Sequence, residues 1–366
     1  MIPVAAMVTV MAEIRKAAII GCGNIAQVHA ACIAGQPGIS LAGVADTCLE
    51  RAVSLGEKYG AEAYYTMEEL LDRVKPEIVH ICTPHYLHVP MAAEALRQGR
   101  QVFMEKPPVI NQEQYTILKD AVKSSKGKLG LCFQNRYNPG TLAAMRLFAL
   151  GIPGRVKGGR AIVSWCRERE YYTESDWRGN RKTEGGGALI NQAVHSLDLL
   201  TLFLGKPVSA EAVMANHHLK NVIEVEDMME AYIQYEEGIT GCFYATTAYC
   251  TNMPPIIELH CDNMNVRVEE MKAVCTDFSG EEIKLSEMQE FKFSDETSAS
   301  PEENKKKQAS LGKSYWGAGH MDCITDYYSS LLSEKAVPIG LKETKDTIEL
   351  MLAIYESARI GEEVIV

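Results

Sequence analysis

The sequence predicts an α/β chain in two parts: a doubly wound parallel sheet, then an α+β domain with a large, mostly antiparallel open sheet. Three observations carry that prediction. Residues 13–133 alternate short, nearly continuous apolar strands with helical patterns, as a parallel sheet covered on both faces requires. A glycine turn, Gly21-x-Gly23-x-x-Ala26, stands between the first strand and the first helix. After Gly140 the alternation stops, and longer strand-like runs follow with few helices between them. A first domain is therefore expected at 13–135 and a second at 136–366, with the last helices able to pack back on the first.

In the first domain, strands are expected at 16–20, 39–46, 77–84, 101–107 and 128–135. Helices fall between them at 25–35, 49–59, 67–74, 88–98 (closed by Gly99) and 112–123. In the second, a helix at 141–149 precedes strand-like runs at 155–166, 208–216, 227–236, 239–249, 255–261 and 264–269. A single helix is expected at 188–204. At about 100° per residue, its Asn191, His195 and Asp198 share one stripe, while leucines cover much of the rest. The polar segment 279–313 reads as a surface loop, and helices at 320–333 and 342–359 end the chain.

The bulk numbers narrow the function. A chain of 366 residues, 46% hydrophobic and 23% charged, buries a sizeable core without staples. A net charge of −11 with no long basic run argues against nucleic acid or an anionic membrane as partner. The 11 cysteines form no C-x-x-C pair, so neither a disulfide framework nor a metal site is expected. Free buried thiols fit a reducing compartment, and a cytoplasmic location is expected. The apolar residues 1–12 have no basic segment before them and read as an extension, with Met7 or Met11 as alternative starts. No run reaches the ~20 apolar residues that span a bilayer.

The glycine turn carries the cofactor expectation. Gly21 allows a tight turn, Gly23 lets backbone approach a pyrophosphate, and Ala26 lets the helix pack on the strand. Asn24 and Ile25 open that helix, whose free N–H groups suit phosphate oxygens. Asp46 closes the next strand, where a carboxylate binds an adenosine ribose hydroxyl and repels a 2′-phosphate. NAD is expected, with NADP left open by the nearby Arg51. "CTPHYLH" (82–88) ends a further strand at the edge where ligands of such sheets bind. Its Thr83, Pro84, His85 and His88 are cofactor candidates. "FMEKPPV" sets Glu105 and Lys106 at the next strand end, where a lysine could steady a developing alkoxide.

Taken in order, "GCGNIA", Asp46, "CTPHYLH", "MEKP", "WRGNRKTEGGGALINQAVHSLDLL" and "WGAGH" resemble the Gfo/Idh/MocA oxidoreductases over nearly the whole chain from Glu13. The resemblance implies an N-terminal Rossmann domain and a C-terminal domain whose open sheet mediates a homodimer or homotetramer. It also implies hydride transfer between a nicotinamide cofactor and a secondary alcohol of a sugar, cyclitol or related polyol. Lys106 matches the lysine of the family's E-K-P signature, and His195 the histidine taken as catalytic acid/base. Asn191 stands where many members carry aspartate; an amide can hydrogen-bond a hydroxyl but cannot accept a proton. Asp198 reads as a supporting acid. Trp177 and Arg178 resemble the W-R-G loop that reaches cofactor and substrate. Tyr171, Tyr172 and Arg181 flank it, Arg136 sits at the domain junction, and His320 opens a helix toward the pocket. The expected substrate contacts are Asn191, Trp177, Arg178, Tyr172 and His320. Arg136, Glu105, Lys106, Trp177 and Arg178 join the cofactor set. Three rivals stay open: a glycosidase using transient oxidation on retained NAD, a transaldose-type oxidoreductase that never releases its cofactor, and a non-catalytic sugar-sensing regulator.

Overall fold

The computed structural model describes residues 14–284 and 319–366. The 1–12 extension and the polar loop beyond residue 284 lie outside the described residues.

The first sheet is assembled from β1 (Arg15–Ile20), β2 (Ile39–Ala45), β3 (Glu62–Tyr64), β4 (Ile78–Ile81), β5 (Gln101–Met104) and β6 (Leu129–Leu131). All pairings are parallel, in the order β3-β2-β1-β4-β5-β6. Such a sheet needs crossovers, supplied by α1 (Asn24–Ala34), α2 (Leu49–Tyr59), α3 (Met67–Val74), α4 (His85–Arg97) and α5 (Gln112–Ser124). The strands are apolar because both faces are covered: β4 is buried along its whole length. At the β1–α1 turn Gly21 has φ +88°, and a Cβ there would lie 2.6 Å from the Cys82 carbonyl oxygen. Only glycine lets β1 end this close to β4.

The second sheet follows α6 (Pro139–Ala149). It comprises β7 (Val156–Ser164), β8 (Pro207–Ala215), β9 (Met228–Tyr235), β10 (Thr240–Thr246), β11 (Ile256–Cys261), β12 (Asn265–Val268), β13 (Ala273–Thr276), β14 (Glu282–Ile283) and β15 (Val364–Ile365). Among the described residues the order is β14-β13-β12-β11-β7-β10-β9-β8-β15, with β7–β10 parallel and the other pairings antiparallel. β9 alternates buried and exposed side chains along its length, as a sheet with one face on the core must. A short α7 (Arg169–Thr173), α8 (Val194–Leu204), α9 (His320–Leu332) and α10 (Lys345–Ile360) are the remaining α-helices among the described residues. α8 and α10 cover the second sheet, whereas α9 packs on α1. Tyr327 of α9 donates to the Val102 carbonyl of β5 at 3.0 Å, so this helix returns to the first domain.

Two elements depart from the sequence reading. The helix expected at 88–98 begins at His85, because Pro84 suits the position before a helix and the Tyr86 amide finds Thr183 O at 3.1 Å. The single helix expected at 188–204 is a wide π turn at Ala188–Ala193 joined to α8, with Ala193 at φ −115°, ψ 3° between them. The amides of Gly187 and Leu189 are taken by the Glu226 carboxylate, and that of Ile190 by the Tyr355 hydroxyl. Side chains thus supply the acceptors that an isolated helix N-terminus lacks. The strand β3, the short β13–β15 and α7 have no counterpart in the sequence reading.

Candidate active site

The nucleotide end is built by β1, β2 and β4. The N-terminus of α1 has no side-chain cap, and a Cβ on Gly23 would meet nothing within 4 Å. Asn24 and Ile25 therefore offer their amides to open space. The Asp46 carboxylate accepts from the Cys22 amide at 2.7 Å and the Cys48 amide at 2.8 Å, which fixes it at the mouth of the glycine turn. The Thr83 hydroxyl is buried with no hydrogen-bond partner among the described residues. An uncapped helix start, a free cradle over Gly23 and an orphaned hydroxyl together fit a dinucleotide pyrophosphate.

His85 and His88 are both buried. His85 Nδ1 meets Glu184 O at 2.8 Å, and its ring packs 4.6 Å from Trp177. His88 lies between the carbonyl oxygens of Pro107 (2.9 Å) and Thr83 (2.8 Å). Burial pushes both imidazoles below their usual range. These histidines tie the β4 and β5 ends to the Trp177 loop.

Lys106 follows β5. Its ammonium donates to the Asn191 carbonyl at 2.7 Å and faces the Asn191 Oδ1 at 3.5 Å. Burial lowers its pKa, opposed chiefly by Glu105. The Glu105 side chain turns into the core instead. It meets His29 Nε2 at 2.9 Å, His29 Nδ1 meets His80 Nδ1 at 2.8 Å, and His80 Nε2 meets the Tyr328 hydroxyl at 2.8 Å. Donors and acceptors match along this chain when Tyr328 gives to His80, His80 to His29, and His29 to Glu105. Burial, the largest single influence, works against ionisation of Glu105, but the His29 hydrogen bond and the fields of His29, His320 and Lys106 together outweigh it and hold Glu105 far below the usual carboxylate range. His29, Glu105 and Cys132 bring one donor atom each within 4.8 Å, but the His29–Glu105 hydrogen bond already joins two of them. His320 Nε2 stands 4.0 Å from Glu105.

The stripe of Asn191, His195 and Asp198 splits by partner. His195 is edge-on to Phe133 with Nε2 3.1 Å from the Gln134 amide nitrogen, and its buried Nδ1 has no hydrogen-bond partner among the described residues. Burial, then the Lys106 charge, drives its pKa down to about 3. Asp198 accepts a two-pronged ion pair from Arg136 (2.8 and 2.6 Å) and a bond from Thr347 at 2.8 Å. Arg136, expected at the cofactor, is thus committed to a buried carboxylate. Asn191 Nδ2 donates to the Glu184 carboxylate and, at 3.3 Å, to the Tyr171 hydroxyl. Tyr172, expected at the substrate, instead fills a satellite core with Leu219, Ile223 and Val225. Its neighbour Tyr171 is the ring that reaches the site. The Arg178 guanidinium lies 4.3 Å over Tyr171 and 5.2 Å from Trp177, while Arg181 turns away to Glu224.

Residues 15–133 match the family described as "Oxidoreductase family, NAD-binding Rossmann fold", and 141–267 match "GFO/IDH/MocA C-terminal domain". The chain belongs to the GFO/IDH/MocA oxidoreductase family. Members of this NAD-binding family act on sugars and polyols. D-glucoside 3-dehydrogenase of Escherichia coli (strain K12) is 28% identical over 257 residues, 65% of this chain and 71% of that protein. Inositol 2-dehydrogenase of Rhizobium meliloti (strain 1021) is 27% identical over 198 residues, 54% of this chain and 57% of that protein. The WlbA dehydrogenase from Bordetella pertussis, solved with NADH and UDP-GlcNAcA, superposes with a TM-score of 0.82 at 25% identity, covering 98% of this chain and 99% of that one. Among the described residues no helix is long and apolar enough to cross a membrane.

For this family member, sequence reasoning missed two residues, Glu184 and Gln134. Glu184 precedes the Gly185–Gly187 run and has no role in the sequence reading, yet it is 1% exposed and bonded to Asn191. Gln134 falls inside the strand expected at 128–135, near Arg136, and likewise has no role there; only the fold brings it to His195.

Proposed function

We propose that this protein is an NAD-dependent dehydrogenase that oxidises a secondary alcohol of a sugar or cyclitol, or runs the reverse reduction. The observation that carries the reading is that the Lys106 charge bears directly on His195 and each has capacity to spare: an ammonium hydrogen and a buried ring nitrogen without a partner among the described residues. Lys106 holds the substrate oxygen and offsets its developing charge. His195, neutral at pH 7, moves the hydroxyl proton. With Gln134 donating to Nε2, the ring proton sits on Nδ1 and can hydrogen-bond a substrate oxygen; the acid in the reduction is the imidazolium, which returns the proton that the ring takes in the oxidation. Turning that amide over gives the tautomer that takes a proton from a hydroxyl. NAD, when bound, supplies the hydride acceptor.

The residues that would hold the cofactor are Gly21, Gly23, Asn24 and Ile25 at the pyrophosphate, Asp46 at the ribose, and Thr83 and Pro84 along the β4 edge. Asp46 favours NAD over NADP. Trp177 and Arg178 cover the cleft from the second domain, with Asn191 and Tyr171 beneath. Self-association through the second sheet is part of this reading, supported by Val213 and Tyr232, which are 57% and 50% exposed on β8 and β9. The test is turnover of D-glucosides, glucose 6-phosphate and inositols with NAD and NADP, followed by nicotinamide absorbance. Reduction of NAD by one of them is expected. A released aglycone with no net absorbance change would replace the reading with a glycosidase on retained NAD.

A further inference from the structure

We infer that Glu184 is a positioning residue for Lys106, acting through the carboxamide of Asn191. The inference rests on the reading of Lys106 as the group that holds the substrate oxygen.

The geometry is a three-residue line across the domain junction. Glu184 Oε2 accepts from the Gly179 amide at 2.6 Å, and Oε1 accepts from Asn191 Nδ2. A carboxylate only accepts. It therefore dictates which end of the Asn191 amide faces it, and the other end, Oδ1, is left toward the Lys106 ammonium at 3.5 Å. An asparagine is nearly symmetric in shape, and the Tyr171 hydroxyl at 3.3 Å can donate as well as accept; without Glu184 the Asn191 NH₂ could as well face Lys106, donor against donor. Glu184 removes that choice. It also places a carboxylate one residue back from Lys106, buried where its field is weakly screened.

The groups that bear on Glu184 come from every neighbouring element. Lys106 and His85 approach from the first domain, Arg178 and Tyr172 from the 169–179 segment, Glu226 from the turn between β8 and β9, and Tyr355 from α10. Burial raises the Glu184 carboxyl to about 7, the Gly179 and Asn191 hydrogen bonds pull it back, Glu226 adds to the rise and Arg178 opposes it. Glu184 is among the groups that favour the Lys106 ammonium, so that support arrives as pH rises through about 7.

The test uses the full chain with two variants, E184Q and E184Q/N191D. In E184Q the new amide must satisfy two donors, Gly179 N–H and Asn191 NH₂, with a single oxygen. In the double variant every group is satisfied again. The oxygen of the introduced glutamine accepts from Gly179, and its NH₂ donates to the introduced aspartate. That aspartate's carboxylate in turn accepts from Lys106. Two readouts are taken. Competitive acetylation of Lys106 with acetic anhydride, quantified by mass spectrometry against pH, reads its pKa without any substrate. Turnover of methyl D-glucoside and myo-inositol with NAD is measured across the same pH range, with melting temperature as a folding control.

In E184Q the Lys106 titration is expected to move down by about one pH unit. Turnover is expected to fall roughly 10- to 100-fold, as when an orienting partner is removed from other sites, and the rise in activity through about pH 7 is lost. The double variant restores the Lys106 titration and most of the turnover. An unchanged Lys106 titration in E184Q, or a folded double variant as impaired as the single, overturns the inference. If neither alcohol is oxidised by the wild type, the dehydrogenase reading falls for those substrates, while the Lys106 titrations still decide the link to Glu184. Should E184Q fail to fold, a folded double variant with a wild-type Lys106 titration supports the inference, and an unfolded one overturns it.

Discussion

Lys106 donates to the backbone carbonyl of Asn191 at 2.7 Å, and this bond ties the C-terminal end of the parallel sheet to the π turn that opens α8. The reacting groups of the proposed mechanism therefore come from different domains, and a substitution in one can be separated from cofactor binding in the other. Lys106→Met and His195→Ala are each expected to lower kcat by about 10²- to 10⁴-fold while NADH binding, read by fluorescence titration, stays within a few-fold. Full turnover in His195→Ala would remove that residue from the chemistry.

Arg136 and Asp198 are expected to contribute to stability rather than to cofactor affinity. The pair is buried, with side chains 13% and 1% exposed. Arg136→Met leaves the Asp198 carboxylate with Thr347 alone and should cost about 3 kcal/mol, because an uncompensated buried charge remains. Asp198→Asn in the same chain should return part of that loss, since no charge is then stranded. Denaturant unfolding of the two single variants and the double measures it. A purely additive result would mean that the pair is not coupled.

A pH signature in stability is expected from Glu184. Burial raises its folded-state pKa from 4.5 to about 7, so the folded state holds the proton more tightly than the unfolded one. Its contribution is then fully favourable below about 4.5, declines as pH rises toward about 7 and is constant above, a change of about 3 kcal/mol. The melting temperature of E184Q relative to wild type should therefore rise between pH 5 and pH 8. Parallel curves would show that Glu184 does not titrate in this window.

Asp46 is expected to set cofactor preference. Its carboxylate is held by the Cys22 and Cys48 amides, so it cannot swing away from a 2′-phosphate. Asp46→Ser should shift the NADP/NAD ratio of kcat/KM toward NADP by roughly 10- to 100-fold, with Arg51 nearby to receive the phosphate. An unchanged ratio would place the discrimination elsewhere.

The open face of the second sheet is expected to carry self-association. Tyr232→Glu on β9 adds a charge to that face without touching the core, because the residue is half exposed. Sedimentation should show a smaller species than wild type, with the melting temperature little changed. Identical sedimentation would place any interface elsewhere.

Much of this protein was legible in its sequence because local chemistry determined it. The strand–helix alternation, the turn at Gly21 and Gly23, and the acid at Asp46 lie within one βαβ unit, where spacing alone sets geometry. Lys106 and His195 were legible by motif. The partners of each side chain were not, because they come from far along the chain. Sequence placed Arg136 at the cofactor; tertiary structure commits it to Asp198, 62 residues away. Sequence drew one helix over 188–204. The fold opens its first turn because Glu226 and Tyr355 compete for the amides. Sequence marks Asn191 as a substrate contact whose amide stands where many family members carry aspartate, and only the packing of the Gly179–Gly187 loop sets the Glu184 carboxylate behind it. Periodicity and turn chemistry are local and are written in the order of residues. Burial, hydrogen-bond pairing and the pKa of a buried group depend on which distant atoms exclude water, and that is decided only when the whole chain has folded.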